Sequence, residues 1–271
     1  MDIFDIKGRV AVITGAGGVL CGEMAKHLAA RGTKVALLDI MEDNVKGVAE
    51  EIENQGGEAI TVVADVLKKE SLLEARKKVL NKFGRIDILI NGAGGNKKEA
   101  TTSEEFSFFD LPQDALKWVL DLNLLGTIMT CQVFGEEMVK NDSGSIINIS
   151  SMAAIRPLTK TISYSAAKAA VSNFTQWLAV HFNQNYSEKL RVNAIAPGFL
   201  LTEQNRYLLI DKETGEETIR GKKIKDNTPM NRYGSPEELI GAVIWLASEA
   251  SSFVNGSIIP IDGGFAAYSG V

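Results

Sequence analysis

The feature that most constrains this chain is the alternation of short, nearly continuous apolar runs with stretches of helical periodicity. The apolar runs are rich in valine and isoleucine, which is typical of strands buried on both faces of a sheet. The predicted strands are Val10 to Thr14, Val35 to Asp39, Ile60 to Val63, Ile86 to Asn91, Ile146 to Ser150, Arg191 to Ile195 and Ile258 to Ile261. The predicted helices are Gly22 to Arg31, Glu42 to Gln55, Lys69 to Phe83, Gln113 to Lys140, Tyr164 to Gln184 and Pro236 to Ser248. Repeated strand-helix-strand units predict an α/β fold with a doubly wound, parallel, seven-stranded sheet.

The length and composition predict one domain over residues 1–271. The chain has 271 residues, of which 45% are hydrophobic, and no internal repeat or linker divides it. A chain of this size can bury a full core as a single α/β unit. Two segments, residues 96–111 and 202–228, interrupt the alternation. Because ligands of such sheets bind beyond the carboxyl ends of the strands, we call these segments the substrate loops.

Charge and cysteine content exclude several classes of protein. The formal charge is -5 and acidic and basic residues are interspersed, so no basic stripe is available for nucleic acid. The first residues are acidic and no apolar run approaches roughly 20 residues, which predicts a cytoplasmic protein without a signal or membrane span. Cys21 and Cys131 are too few for a disulfide framework. No Cys/His cluster has zinc-like spacing, so no metal is predicted.

A glycine-rich turn follows the first predicted strand and opens a helix. Glycines allow a tight turn in which backbone amides approach a pyrophosphate, and the helix N-terminus adds a partial positive charge. This is the pattern of a Rossmann dinucleotide site. The predicted cofactor contacts are Gly15, Gly17, Gly18, Val19 and Leu20. A close-packed connection without a ligand would have the same glycines.

Asp39, which ends the second predicted strand, indicates the cofactor. A carboxylate at this position accepts hydrogen bonds from the adenosine ribose hydroxyls and repels a 2′-phosphate. No Arg or Lys adjoins it, so NAD is predicted rather than NADP. An N-cap of the next helix is the alternative role. Other strand ends predicted to border the cofactor are Asp65, Val66, Asn91, Gly92 and Ala93, for which ordinary turn chemistry is the alternative.

The spacing of Tyr164 and Lys168 indicates the chemistry. Residues four apart share one helix face, so the phenol and the ammonium point into the same space. An ammonium stabilises the phenolate, which lets a tyrosine act as general acid or base near neutral pH. Ser151 follows a strand and is placed to polarise a substrate carbonyl. Lys168 is also predicted to bind the nicotinamide ribose. Taken alone, the pair could be a solvated helix face.

Asn123 lies in the middle of a predicted helix, where an amide has poor helix propensity. It could hold water in a proton relay beside Lys168. A helix distortion or an amide satisfied within the core is equally compatible with the sequence.

These motifs occur in the order found in the short-chain dehydrogenase/reductase family, and the chain resembles that family from about Lys7 to Gly264. The resemblance implies a tetrad of Asn123, Ser151, Tyr164 and Lys168. It also implies that Pro197, Gly198 and Thr202 wrap the nicotinamide amide and pyrophosphate, with Tyr164 and Lys168 in contact with the cofactor. Members are usually homotetramers paired through the helices of Asn123 and Tyr164 and through the last strand. Small residues of the Tyr164 helix, Ala166, Ala167, Ala169 and Ala170, would allow such a contact.

The glycine turn departs from the family pattern, which has glycine where Val19 and Cys21 stand. A reshaped pyrophosphate turn is therefore expected, with Cys21 as a small packing residue rather than a redox switch. This turn, Gly94-Gly95-Asn96 and the inserted segment 106–111 are similar to the D-mannonate oxidoreductase branch of the family. That similarity implies a sugar-acid substrate. Candidate contacts for its carboxylate and hydroxyls are Asn96, Lys97, Arg156, Asn205 and Arg206, although each could be a solvated loop residue.

The sequence is compatible with two other functions. A reductase of 3-oxoacyl thioesters or cyclic alcohols would share the tetrad, and a pocket dominated by Phe106, Phe108 and Phe109 without a cation would favour it. A NAD-sensing protein without chemistry would keep the fold, since fold alone does not establish function.

Overall fold

The seven predicted strands form one sheet in a computed structural model that describes residues 2–104, 106–203 and 205–270. The strands are β1 (Val10–Thr14), β2 (Lys34–Asp39), β3 (Ala59–Val63), β4 (Ile88–Asn91), β5 (Gly144–Ile149), β6 (Leu190–Pro197) and β7 (Ile258–Ile261). Their order is β3-β2-β1-β4-β5-β6-β7, and every pair is parallel. The prediction of a doubly wound α/β sheet is confirmed.

The strand order reverses between β1 and β4, and this reversal opens a crevice at the carboxyl edge of the sheet. Thr14 pairs with Leu38 of β2 on one side and with Asn91 of β4 on the other. The connections after these strands leave toward opposite faces of the sheet. Ligands of parallel sheets bind at such a switch point.

Helices cover both faces. They are α1 (Val19–Ala30), α2 (Glu42–Asn54), α3 (Lys69–Phe83), α4 (Gln113–Leu120), α5 (Gly126–Lys140), α6 (Ile162–Asn185), α7 (Arg206–Leu209), α8 (Ile219–Asp226) and α9 (Ile240–Ala247). Alternate side chains of β1 enter different cores: Ile13 packs with Met24 of α1, whereas Val12 packs with Phe134 of α5. Burial on both faces explains the uninterrupted apolar runs in the sequence.

Several predicted boundaries were wrong. Helix α1 begins at Val19 rather than Gly22, because Gly22 N already donates to Gly18 O at 2.8 Å. Strand β4 begins at Ile88 rather than Ile86. The preceding Asp87 instead clamps the start of β1: its amide donates to Val10 O, and its carboxylate accepts from Val10 N, each at 2.9 Å.

The substrate loop 202–228 contains two helices that the sequence pattern did not indicate. They are α7 and α8, and Thr218 caps α8 by accepting a hydrogen bond from Gly221 N at 3.0 Å. In the described part of the loop 96–111, the only regular structure is a pair of short 3₁₀ turns at Lys98–Ala100 and Phe108–Asp110. Order in the second loop therefore comes from local capping and packing.

The predicted helix Gln113–Lys140 is continuous but distorted at Asp121–Leu125, where the backbone forms a π turn between α4 and α5. Over its 28 residues this helix is long and apolar enough to meet a simple criterion for a membrane span, contrary to the prediction of no such run. Half of its most apolar window is buried inside the protein. That burial is typical of a core helix in a globular fold.

Candidate active site

The turn between β1 and α1 brings the backbone close to the end of β4. Gly15 has a φ of 66°, a region that side chains rarely adopt. A Cβ on Gly15 would lie 2.8 Å from Ala93 N, so a larger residue would collide with backbone. Val19 and Leu20 form the first turn of α1, whose leading amides have no acceptor within the helix. The turn can therefore receive an anion at its backbone amides.

Two cavities border Gly15 and together extend along the carboxyl edge of the sheet. The main cavity, of about 380 Å³, is lined by Gly15, Gly18, Val19, Leu20, Cys21, Gly92, Ile149, Ser150, Ser151, Tyr164, Pro197, Gly198, Phe199, Leu200, Thr202 and Asn205. The Asp39 cavity, of about 180 Å³, is lined by Gly15, Leu38, Asp39, Ile40, Ala64, Asp65, Val66, Ala93, Gly94 and Leu122. Most residues predicted from the glycine, strand-end and tetrad motifs thus lie around one crevice.

Asp39 is fixed by backbone hydrogen bonds at the end of β2. Its Oδ2 accepts from Gly17 N at 3.1 Å and its Oδ1 accepts from Met41 N at 3.0 Å. The bond to Gly17 ties the carboxylate to the glycine turn itself. Among the described residues that line its cavity there is no Lys or Arg that could neutralise a 2′-phosphate.

The other strand-end residues have mainly structural contacts. Asn91 is 3% exposed, and its side chain donates to Asn148 Oδ1 at 2.8 Å and accepts from Thr130 Oγ1 at 2.6 Å. The prediction placed Asn91 at the cofactor, but its amide is used inside the core. Asp65 accepts from Leu67 N at 3.0 Å and caps its own turn. Val66 is buried beside it, and both residues line the Asp39 cavity.

Tyr164 and Ser151 line the main cavity, and Lys168 lies beside the Tyr164 ring. The Ser151 side chain lies close enough to the Tyr164 phenol to lower its pKa. The Lys168 ammonium lies 5.6 Å from the centroid of the Tyr164 ring and donates to Ile149 O at 2.8 Å. Ser151 is held in place because its Oγ accepts from Ala153 N at 3.1 Å. The predicted convergence of a phenol, a hydroxyl and an ammonium is present.

Burial shifts the pKa values of Tyr164 and Lys168 more strongly than the expected ion pairing between them does. Desolvation raises the pKa of Tyr164, and the hydrogen bond to Ser151 opposes this in part. Desolvation lowers the pKa of Lys168 to about 8, against a usual value of 10.5. The phenol is therefore neutral at physiological pH, in the state that can donate a proton. This differs from the expectation of a phenolate stabilised chiefly by Lys168.

Asn123 lies in the π turn with its amide fully occupied. Its Nδ2 donates to Gly95 O at 2.7 Å and to Val119 O at 2.8 Å, and its Oδ1 accepts from Gly95 N at 3.1 Å. A Cβ on Gly94 would lie 2.6 Å from Asn123 Oδ1 and 3.4 Å from Lys168 Nζ, so the amide and the ammonium flank the same backbone. Both alternatives left open by the sequence, helix distortion and a satisfied amide, describe what is observed.

Four of the five predicted substrate contacts do not converge. Asn205 lines the main cavity, but its side chain donates to Leu200 O at 2.7 Å and accepts from Thr202 N at 2.9 Å. The Asn96 amide donates to Thr101 Oγ1 at 2.9 Å. Arg206 is exposed and pairs with Glu203 at 3.3 Å. Arg156 donates from Nε to Ala266 O at 3.1 Å.

Lys97, the remaining candidate, lies over the Trp118 ring at 5.5 Å from its centroid. Among the described residues that line the main cavity there is no Lys, Arg or His. Phe106, Phe108 and Phe109 do not line it either. The cavity thus has neither the cation expected for a sugar acid nor the phenylalanines expected for the rival reductases.

Sequence reasoning missed one part of the wall of the main cavity. Phe199 and Leu200 form part of its wall, and their position directly after Pro197-Gly198 was the signal that could have identified them. Cys21 packs against Gly92 so closely that a Cβ there would lie 2.0 Å from its Sγ. Burial raises the pKa of this thiol to about 12, which agrees with the prediction of a packing role.

No cluster of three or more potential metal ligands occurs within the described residues.

Comparison with known proteins identifies the family. A family profile described as enoyl-(acyl carrier protein) reductase matches residues 18–266. An uncharacterised oxidoreductase of Bacillus subtilis is 49% identical, with 98% of each chain covered. A NAD-dependent glycerol dehydrogenase of Listeria innocua is 34% identical over 97% of this chain and 95% of its own.

Solved structures agree with these relatives. A candidate D-mannonate oxidoreductase from Haemophilus influenzae, solved with bound NAD, has 48% identity and a TM-score of 0.93, with 98% of each chain covered. The shared sheet, the glycine turn and the Ser-Tyr-Lys geometry all lie within the matched region. The chain is therefore an oxidoreductase of the short-chain dehydrogenase/reductase family.

Proposed function

We propose that this chain is a NAD-dependent oxidoreductase that interconverts a secondary alcohol and a ketone on a sugar acid, of the kind represented by D-mannonate and D-fructuronate. One domain, residues 1–271, would carry both sites. The observation that carries the proposal is the meeting of Tyr164 and Ser151 in a cavity bordered by the glycine turn, with the Lys168 ammonium 5.6 Å from the centroid of the phenol ring. These groups have the chemistry needed to exchange a proton beside a dinucleotide.

The residues around the crevice fit NAD. The amides of the glycine turn suit the pyrophosphate, and Asp39 suits the ribose hydroxyls of the adenosine. The absence of a Lys or Arg from the described lining of the Asp39 cavity disfavours NADP. Pro197, Gly198 and Thr202 line the main cavity, where they would border the nicotinamide. When bound, NAD accepts or supplies the hydride.

In the proposed mechanism, the protein manages the proton. The neutral phenol of Tyr164 donates its proton to the carbonyl oxygen during reduction and receives it back during oxidation. The Ser151 hydroxyl, which lines the same cavity, donates a hydrogen bond to the carbonyl oxygen and polarises it. Lys168 lies 5.6 Å from the phenol ring and stabilises negative charge that develops on its oxygen. Asn123 positions the backbone of Gly94 and Gly95 beside Lys168.

A sugar acid is favoured by the Haemophilus influenzae structure and by an exposed cation, Arg206, next in sequence to a residue that lines the main cavity. Arg206 directly follows Asn205, which lines the cavity, and the Arg206 side chain is about half exposed. Its partner Glu203 is 86% exposed, so this ion pair is weak and can be exchanged for a substrate carboxylate. We assign the carboxylate to Arg206.

A neutral alcohol is the second candidate substrate, and a specific observation favours it. The described lining of the main cavity contains Leu20, Phe199 and Leu200 but no cation. Relatives with 31–34% identity include a glycerol dehydrogenase, a 7alpha-hydroxysteroid dehydrogenase and a cyclohexanol dehydrogenase. A non-catalytic NAD-sensing role would leave the phenol, the hydroxyl and the ammonium without a purpose.

The proposed assembly is a homotetramer in the cytoplasm. Between α5 and α6 lies an apolar groove of about 390 Å³ whose wall includes Phe174 and Trp177, and the Trp177 side chain is 57% exposed. Strand β7 pairs with β6 and, among the described residues, has no partner strand on its outer side. Exposed apolar surface and a free edge are features that a second copy would cover.

The experiment that tests the activity follows nicotinamide absorbance during oxidation of D-mannonate, glycerol, cyclohexanol and a hydroxysteroid with NAD or NADP, and during reduction of a 3-oxoacyl thioester with NADH or NADPH. Turnover should be greatest with D-mannonate and NAD. The variant Tyr164→Phe should bind NADH but lose activity by at least about 100-fold, the contribution of a general acid. Tyr207→Phe, at an exposed tyrosine in the second substrate loop, is the matched control.

Two outcomes would contradict the proposal. Near-normal turnover by Tyr164→Phe would remove the phenol from the mechanism. Activity confined to neutral alcohols or acyl thioesters would leave the mechanism intact and replace the sugar acid.

A further inference from the structure

The chain ends in a compact turn, residues 262–268, which we call the C-terminal turn. Asp262 organises it, because Oδ1 accepts from Gly264 N at 2.9 Å and Oδ2 accepts from Ala266 N at 2.8 Å. The amide of Tyr268 also donates back to Gly264 O at 3.1 Å. The turn therefore has an internal structure of its own, and its position depends on what holds it to the rest of the protein.

The first attachment is to the loop after β6, which forms one wall of the main cavity. Gly198 N donates to Ile261 O at 2.9 Å, and a Cβ on Gly198 would lie 2.5 Å from Asp262 Cα. The rings of Phe199 and Phe265 meet edge to face at 5.2 Å between centroids. Because Gly198 and Phe199 line the main cavity, the C-terminal turn packs directly behind that wall.

The second attachment is to the loop that carries Ser151, on the other wall. Ala154 N donates to Ser151 O at 2.9 Å, and Arg156 N donates to Met152 O at 2.9 Å, so a tight turn connects Ser151 to Arg156. The Arg156 side chain then reaches across to the C-terminal turn and donates from Nε to Ala266 O at 3.1 Å. Arg156 and Ala266 are 110 positions apart in the sequence.

We infer that Arg156 is a positioning residue that joins the two walls of the substrate cavity through the C-terminal turn, and not a ligand of the substrate. The connection runs from the Ser151 loop through Arg156 to the C-terminal turn, and from Phe265 to Phe199. It fixes the distance between the hydroxyl of Ser151 and the wall that faces it. A small error in that distance displaces the substrate carbonyl from Ser151 and Tyr164, which is costly for a reaction that depends on alignment.

This inference rests on the proposed function, because it assigns a role within the same site. Its test uses the full-length protein with three changes. Arg156→Met keeps the length of the side chain without a donor, Arg156→Lys keeps a cationic donor, and a stop after Gly264 removes both Phe265 and Ala266. The matched control is Arg31→Met. Arg31 is an exposed arginine at the C-terminal end of α1, at the amino edge of the sheet, whereas both cavities lie at the carboxyl edge.

The first measurement is amide hydrogen exchange of the peptide covering residues 262–270, which needs no substrate. Arg156→Met should speed exchange at Gly264 and Ala266, Arg156→Lys should restore much of the protection, and Arg31→Met should leave it unchanged. Unchanged protection in Arg156→Met would overturn the inference. If the unmodified protein does not turn over D-mannonate, the proposed substrate fails, but this measurement still decides whether Arg156 holds the turn.

The second measurement separates KM from kcat with D-mannonate, or with the best substrate of the panel. Arg156→Met should raise the substrate KM roughly tenfold, the effect of losing one hydrogen bond from a charged donor. The KM for NAD should stay within about twofold, since Gly198 keeps its own hydrogen bond to Ile261 O and the lining of the Asp39 cavity does not include the C-terminal turn. Truncation after Gly264 should have a similar effect, and adding Arg156→Met to it should change nothing further. Additive effects, or a KM that rises for acids but not for glycerol, would identify Arg156 as a carboxylate ligand instead.

Discussion

The crevice has two sides, which differ in what fixes their geometry. The adenosine side is the proposed adenosine site formed by the Asp39 cavity and the glycine turn, and the substrate side is the part of the main cavity formed by loops. On the adenosine side, strand ends and backbone amides set the geometry: Gly15 packs on Ala93, and Gly17 N binds Asp39. On the substrate side, side chains of long loops bind other loops, as Asn205 binds Leu200 O and Arg156 binds Ala266 O. The first side follows from backbone sterics and is fixed by the fold, whereas the second depends on contacts that differ from loop to loop.

The largest effect should come from adding a side chain at Gly15, on the adenosine side, where the backbone sets the geometry. Gly15→Ala would force a Cβ to 2.8 Å from Ala93 N in a residue with φ of 66°. We expect NADH affinity to fall roughly a thousandfold, because backbone strain and overpacking together cost about 4 kcal/mol. Titration of NADH fluorescence measures the loss. An affinity within tenfold of the unmodified protein would show that this side of the crevice can deform.

The next effect concerns the group at which the two sides meet. Lys168 is buried, and its pKa is lowered to about 8. The unfolded chain, with the usual pKa of 10.5, binds the proton more tightly, so below pH 8 the buried ammonium destabilises the fold. We expect Lys168→Met to abolish turnover and to raise the free energy of unfolding by about 2 kcal/mol at pH 7, after allowing for the lost hydrogen bond to Ile149 O.

The pH dependence of that difference checks its cause. As the pH rises from 8 to 10.5, the folded protein loses the proton before the unfolded chain does, so the unmodified protein gains stability relative to Lys168→Met. Denaturant unfolding at pH 7, 9 and 10.5 measures the change. A stability difference that is constant over this range would mean that packing, and not the buried charge, distinguishes the two proteins.

A smaller effect is expected on the substrate side. Arg206→Ala should raise the KM for D-mannonate roughly tenfold and leave the KM for glycerol unchanged, because an exposed arginine adds affinity through the substrate carboxylate alone. Steady-state kinetics with both substrates measures this. Asn96→Ala is the control, at an exposed amide that binds Thr101 in the other substrate loop. Equal KM values for D-mannonate in the unmodified protein and Arg206→Ala would favour the neutral alcohol.

The same contrast explains what the sequence could predict. A positive φ at Gly15 and two-sided burial of β1 each restrict the residue types allowed, so the glycine turn and the parallel sheet were predictable. The pairing of Tyr164 with Lys168 followed from helix geometry. The contact of Arg156 with Ala266 left no local pattern, because the two residues are 110 positions apart. Helix α8 was missed although Thr218, a typical capping residue, precedes it.

Some residues were predicted at the right place with the wrong environment. Asn91 ends β4 beside the crevice, but Asn148 and Thr130 take up its amide. Tyr164 meets Lys168 as predicted, yet burial dominates the pKa of both. Periodicity locates a side chain on a face of an element. It does not show which neighbours compete for its polar atoms, because those come from distant parts of the chain.

The smallest effect should be found at the thiol of Cys21, which adjoins the glycine turn on the adenosine side. Cys21 is 4% exposed, packs on Gly92 and has its pKa raised to about 12, so almost no thiolate exists at pH 8. Iodoacetamide should therefore leave Cys21 unmodified in the folded protein over hours, whereas unfolded protein should react completely at both cysteines. Mass spectrometry of the labelled peptides measures the difference, and Cys131, equally buried in the core, is the internal control. Labelling of Cys21 ahead of Cys131 would show that the glycine turn opens without global unfolding, and the adenosine side would then be as adaptable as the substrate side.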